Sequence, residues 1–267
     1  MVHETVRSEE RCEKKFKSEN SVKSISIEQS VNSKYSSNLD QNANNKSKSD
    51  DNHSDVINKF KAKCSQMMLD LSKYGVGTID HFLGDERCSS ILLEVKFAYE
   101  NGFFTDGQLV RNSASSSLIR SDKVMHVKGD EKWAKNISHL MTVLEKTLIT
   151  CGVIPSNEQL GDYRITRRTK AMVSCYPGNG THYKRHIDNP NNDGRRLTCI
   201  YYLNKDWDGE TMGGTLRIFP AAHKNLVANI EPIFDRLVLF WSDRRNPHEV
   251  LPAYKDRFAI TVWYCDG

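Results

Sequence analysis

Two hydrophobic rhythms divide the chain. In its first part apolar positions recur at steps of three and four. One set is Val56, Ile57, Phe60, Cys64, Met67, Met68 and Leu71; a second is Cys88, Ile91, Leu92, Val95 and Ala98; a third is Ile137, Leu140, Met141, Leu144 and Leu148. Each predicts a helix with one apolar face, the first from about Asp55, the second over 85–101, the third from about Trp133 to Thr150. Asn101 and Gly102 give the second helix its stop. Between the first two, "YGVGTIDHFL" predicts a short strand bracketed by Gly75 and Gly77. Residues 107–128 alternate loosely, so Gln108–Val110 and Asp122–Val127 read as the arms of a long hairpin tipped by "NSASSS".

From Arg164 onward the period changes to two. "AMVSCY", "LTCIYYL", "TLRIF", "RLVLFW" and "RFAITVWY" are short strands, punctuated by "PGNG", "NPNNDG", "MGG" and "DRRNP". Many strands at short spacing predict a sandwich or barrel. The expected fold is mainly β with supporting helices: a jelly-roll flanked by three or four α-helices, with its site at the open end.

Composition changes this picture at one end only. Residues 1–53 are mostly Ser, Asn, Lys, Glu and Asp, too polar to offset chain entropy by burial, which predicts a disordered tail ahead of one domain over 54–267. A formal charge of +4 with no basic stripe predicts no nucleic-acid partner. The opening residues carry no apolar signal core, and no stretch reaches the roughly 18–20 apolar residues of a membrane span. Seven scattered cysteines without a C-x-x-C pair fit reduced thiols, hence a cytoplasmic and/or nuclear protein.

The candidate chemistry lies in "HYKRHIDNPNNDGRR", residues 182–196. Residues two apart on an extended segment point to one side, so His186 and Asp188 can aim at one point. His248, after Pro247 in "RRNPHEV", is the candidate third ligand. Two histidines and one carboxylate on one face of a metal leave open positions, the arrangement of non-haem Fe(II) oxygenases. Nine residues on, Arg257 shares a strand face with Ala259, Thr261 and Trp263. A guanidinium aimed into an apolar interior needs an anion. That anion is either a protein carboxylate or the carboxylate of a ligand. His182 stands four before His186, but Gly178, Asn179 and Gly180 argue against a helix there, and it reads as a loop histidine.

H-x-D, a distant His and an Arg resemble the Fe(II)- and 2-oxoglutarate-dependent dioxygenases. "AMVSCYPGNGTHYKRHIDNPNNDGRRLTCIYYLNKDWD", "GGTLRIFP" and "IEPIFDRLVLFWSDRRNPHEVLPAYKDRFAITVWY" are similar to the hypoxia-inducible-factor prolyl hydroxylases, over roughly residues 54–266. The resemblance implies a double-stranded β-helix in which His186, Asp188 and His248 hold Fe(II). It implies that 2-oxoglutarate chelates that iron and places its far carboxylate on Arg257 and the Tyr202 hydroxyl, with Met172, Tyr176, Ile200, Leu216, Val250, Thr261 and Trp263 lining the pocket. O2 would be the second cosubstrate and ascorbate a further cofactor. The implied reaction is proline C4 hydroxylation in a hypoxia-inducible transcription factor alpha subunit, coupled to 2-oxoglutarate decarboxylation, by a monomer that grips an extended protein segment. Arg120, Asp122, Arg195 and Trp263 are the implied substrate contacts. The family continues past its last strand into a helix that helps to select the peptide, whereas this sequence stops at "WYCDG"; the resemblance therefore leaves two expectations open, an altered grip on the peptide or a truncated form of the sequence.

Three other readings stand beside this one. The same chemistry could act on a ribosomal protein or translation factor. A jelly-roll could bind a ligand without turnover. A zinc hydrolase would need a general base, for which Glu249 is the nearby candidate.

Overall fold

The computed structural model describes residues 14–15, 46–107, 119–152 and 163–267. Among these residues the elements in chain order are β1 (Lys14–Lys15), α1 (Lys46–Tyr74), β2 (Val76–Ile79), α2 (Asp85–Glu100), β3 (Thr105–Asp106), β4 (Lys123–Val127) and α3 (Lys135–Gly152). Then follow β5 (Ile165–Arg168), β6 (Ala171–Pro177), β7 (Thr181–His186), β8 (Arg195–Tyr202), α4 (Gly209–Met212), β9 (Leu216–Ile218), β10 (Ala228–Ile230), β11 (Leu237–Trp241), β12 (His248–Ala253) and β13 (Asp256–Asp266).

From β6 onward the chain winds between two antiparallel sheets. The larger runs β2-β11-β8-β13-β6-β4-β3, with β5 on β13 and β1 on β5; the smaller runs β10-β9-β12-β7. This alternation is the double-stranded β-helix. Because side chains alternate across a strand, the larger sheet has two buried faces of different content. Leu197, Cys199, Tyr201, Leu237, Leu239, Trp241, Ile260, Val262 and Tyr264 face outward and share one core with α1, α2 and α3. Ile200, Tyr202, Val238, Phe240 and Ala259 face inward and meet Leu216, Ile218 and Val250 of the smaller sheet.

The three long helices do cover one face, at the positions their periodicity marks: Cys64, Met67, Met68 and Leu71 on α1, Cys88 through Ala98 on α2, Ile137 through Leu148 on α3. α1 begins at Lys46, earlier than the apolar pattern shows, since a nucleated helix propagates through polar residues at little cost. The rest of the tail expected over 1–53 lies outside the described residues, apart from β1. Gln108–Val110 and the "NSASSS" tip also lie outside them. The hairpin arms that are described pair Thr105 with Val124 and Asp106 with Lys123.

Two strands that carry candidate ligands were not legible as strands. β7 reads "THYKRH", with no apolar alternation, and β12 begins on the candidate ligand His248. They pair with each other, His248 opposite His186 and Val250 opposite Tyr183, through an irregular register. His182 therefore belongs to a strand and not to a loop. The segment 119–121 runs along the open edge of β7, with Lys184 N donating to Ile119 O at 2.9 Å and Ser121 N to His182 O at 3.1 Å. It then continues as β4 in the larger sheet, stitching the two sheets together beside the site.

Candidate active site

His186 ends β7, Asp188 lies two residues beyond it, and His248 opens β12 directly across the ladder. One donor atom from each lies within 4.8 Å of the others. Asp188 Oδ1 is 3.5 Å from His186 Nε2 and 3.6 Å from His248 Nε2. Each imidazole turns its other nitrogen to a backbone carbonyl: His186 Nδ1 is 2.9 Å from Lys184 O, and His248 Nδ1 is 3.0 Å from Asn246 O. A carbonyl only accepts, so Nδ1 carries the proton and Nε2 presents its lone pair inward.

The electrostatics agree with that tautomer. Burial pushes the His248 imidazole down to about 4, against the opposing pull of Asp188. Burial also pushes the Asp188 carboxyl up, but His248, His186 and the Trp263 indole outweigh it and hold the group well below the ordinary carboxylate range. Two imidazoles whose Nδ1 atoms are taken up by carbonyls and one ionised carboxylate, converging with the remaining directions open to a cavity, suit a divalent metal with free coordination positions. The donor set fits Fe(II).

The cavity holds about 380 Å³ and reaches from these donors to Arg257, within the range of small-ligand sites. Arg257 is 2% exposed. Its Nε donates to Gly214 O at 2.7 Å and Nη2 to Tyr202 Oη at 3.3 Å. The guanidinium lies over the Tyr176 and Tyr202 rings at 4.9 and 5.0 Å, geometry that suits a cation–π contact. Among the described residues no carboxylate forms an ion pair with it, so none of them supplies the anion. Gly214, at φ +70, lets the backbone come this close: a Cβ there would sit 2.8 Å from Arg257 Cδ. Burial pushes the Tyr202 phenol up despite Arg257, so it stays protonated; its oxygen accepts from Arg257 and its proton is available to a ligand.

Met172, Ile200, Leu216, Val250 and Thr261 line the same cavity. Trp263 lines it too, but its indole Nε1 donates to Asp188 Oδ2 at 3.0 Å, so it braces a donor as well as facing the mouth. Arg195, also at the mouth, is paired with Asp193 at 2.6 Å and lies 5.4 Å from the Trp263 ring. Arg120 and Asp122 are joined to each other by two hydrogen bonds of 2.7 and 2.6 Å. Asp122 is buried at 2% exposure and stands behind Arg120, which alone of the two faces the cavity.

Three participants escaped the sequence pattern. Tyr183 stacks on the His186 ring at 3.6 Å; the register shift between β7 and β12 puts residues three apart on one face, which strict alternation does not allow. Thr198 donates to Asp188 Oδ2 at 2.7 Å, a contact its place on the face of Ile200 and Tyr202 could have suggested. Ser242 lies 2.8 Å from Thr198 Oγ1, and nothing local marks it.

A double-stranded β-helix with this donor set and a buried arginine defines a class, the 2OG-Fe(II) oxygenase superfamily, whose family model matches residues 171–265. Within it, the chain belongs to the Egl nine (EGLN) family of prolyl hydroxylases. It is 49% identical over 199 residues to prolyl hydroxylase EGLN3 of Mus musculus, covering 74% of this chain and 81% of that protein. It is 55% identical over 198 residues to Egl nine homolog 1 of Rattus norvegicus, covering 74% of this chain but 57% of that one, so it spans little more than half the length of that relative. Among solved structures it is similar to a prolyl hydroxylase of Trichoplax adhaerens in complex with a hypoxia inducible factor oxygen degradation domain peptide. The TM-score is 0.71 at 45% identity, covering 79% of this chain and 92% of that one.

Proposed function

We propose that this protein is a prolyl 4-hydroxylase of a protein substrate, the oxygen-degradation region of a hypoxia-inducible transcription factor alpha subunit. The observation that carries the proposal is the cavity: three metal donors at one part of its wall, and at another a buried guanidinium that no carboxylate among the described residues neutralises. A keto-diacid is a ligand able to engage both. His186, Asp188 and His248 would hold Fe(II). Arg257 and the Tyr202 hydroxyl would take the far carboxylate of 2-oxoglutarate, as a charge-assisted pair in a water-poor site. Ile200, Leu216, Val250, Met172 and Thr261 would pack its methylenes and exclude water, with Tyr176 above the guanidinium.

Fe(II), when bound with 2-oxoglutarate and O2, supplies the oxidation that yields succinate, CO2 and hydroxyproline, and ascorbate serves as the reductant that keeps it ferrous. The chain's own task is placement. Arg195, Arg120 and Trp263 at the mouth would guide an extended peptide so that its proline ring meets the open side of the donor set. The same proposal puts the protein in the cytoplasm and/or nucleus; six described cysteines are buried and no disulfide joins any of them.

The test is mass spectrometry of peptides after incubation with iron, ascorbate and 2-oxoglutarate. A single added oxygen on the proline of an oxygen-degradation peptide, with succinate in equal amount, is expected. Oxidation of a translation-factor peptide instead would reassign the substrate. Succinate formation with no peptide modified would remove the hydroxylase reading of these two substrates.

A further inference from the structure

Asp188 has two oxygens, and the structure treats them differently. Oδ1 faces the two Nε2 atoms. Oδ2 faces away and is held by the hydroxyl of Thr198 at 2.7 Å and the indole of Trp263 at 3.0 Å. An ionised carboxylate only accepts, so the Thr198 proton must point at Asp188. Thr198 Oγ1 is also 2.8 Å from Ser242 Oγ. With its own proton committed, Thr198 accepts there and Ser242 donates. The order is therefore fixed: Ser242 O–H to Thr198 O–H to Asp188 Oδ2. Thr198 and Ser242 are each 1% exposed, so no bulk water competes with the chain, and its two bonds polarise one another.

The backbone around Ser242 belongs to the same device. Ser242 N donates to Arg196 O at 2.9 Å, and Ser242 O accepts from Asn189 N, next to Asp188, at 2.7 Å. Asn189, 2% exposed, folds the turn back on itself, its Nδ2 donating to Arg195 O at 2.7 Å and its Oδ1 accepting from Asp193 N at 2.8 Å. One residue just beyond β11 thus grips the carboxylate from its side chain, through Thr198, and from its main chain, through Asn189.

We infer that Ser242 and Thr198 form a buried, one-directional hydroxyl relay that fixes Asp188 as a one-oxygen metal donor. Without Thr198 only the Trp263 indole restrains Oδ2, and the carboxylate can turn toward the metal and take a position that cosubstrate needs. Both are positioning residues: Thr198 borders the cavity but commits its hydroxyl to Asp188, Ser242 stands behind Thr198, and both act through Asp188. The inference rests on the proposed metal role of Asp188 and not on the identity of the protein substrate.

Cobalt(II) binding to the full chain tests it, read by titration and by visible absorption, which reports the ligand arrangement around cobalt. Thr198→Val should weaken cobalt binding roughly 10–100-fold, the usual consequence of losing a group that orients a ligand, and should shift the absorption bands. Thr198→Ser, which keeps the hydroxyl, should restore both, and Ser242→Ala should fall between. Thr198→Val binding cobalt like the parent, with unchanged bands, overturns the relay alone. So does a folded Thr198→Ser that resembles Thr198→Val, since the methyl would then be what matters. If Thr198→Val does not fold, Ser242→Ala and Thr198→Ser decide between the same outcomes. A parent protein that binds no cobalt removes the metal reading and the relay with it.

Discussion

The two faces of the larger sheet are made by the same strands and yet hold different kinds of residue. On β8 the outward set is Leu197, Cys199 and Tyr201, and the inward set Thr198, Ile200 and Tyr202. On β13 the outward set is Phe258, Ile260, Val262 and Tyr264, and the inward set Arg257, Ala259, Thr261 and Trp263. Outward residues meet three helices and carry few polar atoms. Inward residues meet only a four-stranded sheet across a cavity, and carry a guanidinium, hydroxyls and an indole. A residue's neighbour along the chain can thus serve stability while the residue itself serves chemistry.

The sharpest way to break this comparison is His248→Ala. Removing one of three donors should abolish iron-dependent succinate formation, measured against a metal-free control, while far-ultraviolet circular dichroism stays that of the folded chain. Full turnover with intact iron content would take His248 out of the donor set, and the inner face would lose its distinction.

Next in size is a crossed pair of substitutions on β13. Arg257→Ala should cost about 3–5 kcal/mol of 2-oxoglutarate binding, because a bound carboxylate would be left buried and unpaired. Arg257→Met should lose the same affinity, yet leave folding stability unchanged or higher, since a buried cation with no carboxylate partner among the described residues is removed. Ile260→Ala, three residues along on the outer face, should do the reverse: about 2–5 kcal/mol less stable from the cavity left behind, with 2-oxoglutarate affinity as in the parent. Calorimetry of binding and denaturant titration of the same three samples check both halves. Equal losses of affinity in Ile260→Ala and Arg257→Ala would show that the two faces are not separable.

The division also explains what was readable in the sequence. Period-two apolar runs exposed β6, β8, β11 and β13 because both faces of those strands are buried. The H-x-D pair, His248 and Arg257 stood out because polar groups in such runs need a partner. β7 was illegible: one of its faces is solvated and its register is irregular, so neither alternation nor the Tyr183–His186 stack could be read from spacing. Arg120 and Asp122 were singled out as substrate contacts, but charges two apart on an extended segment share a side and here bind each other first. Ser242 reaches the site through hydrogen bonds to Thr198 and Asn189, on segments far from it in sequence, which no local pattern encodes.

The smallest expected effect concerns acid. The outer core should not charge near neutrality: burial pushes the Cys88 and Cys175 thiols up to about 12. The inner face holds His248, pushed by burial from an ordinary 6.5 to about 4. Between those values the unfolded chain binds a proton that the folded chain refuses. Stability is therefore complete above about pH 6.5 and falls as the pH drops toward 4, by up to about 3 kcal/mol. Asp188, held below its ordinary value, adds a loss of the same sign at still lower pH. His139 on α3, lowered by burial and then by Arg87 and Lys146, also acts in that direction and sets the background. Urea titrations of metal-free protein between about pH 7 and pH 4.5 should show this decline. His139→Gln should trim it slightly, and His248→Gln should remove most of it. A decline that His139→Gln abolishes would move the acid sensitivity from the inner face to the helical layer, against the contrast drawn between them.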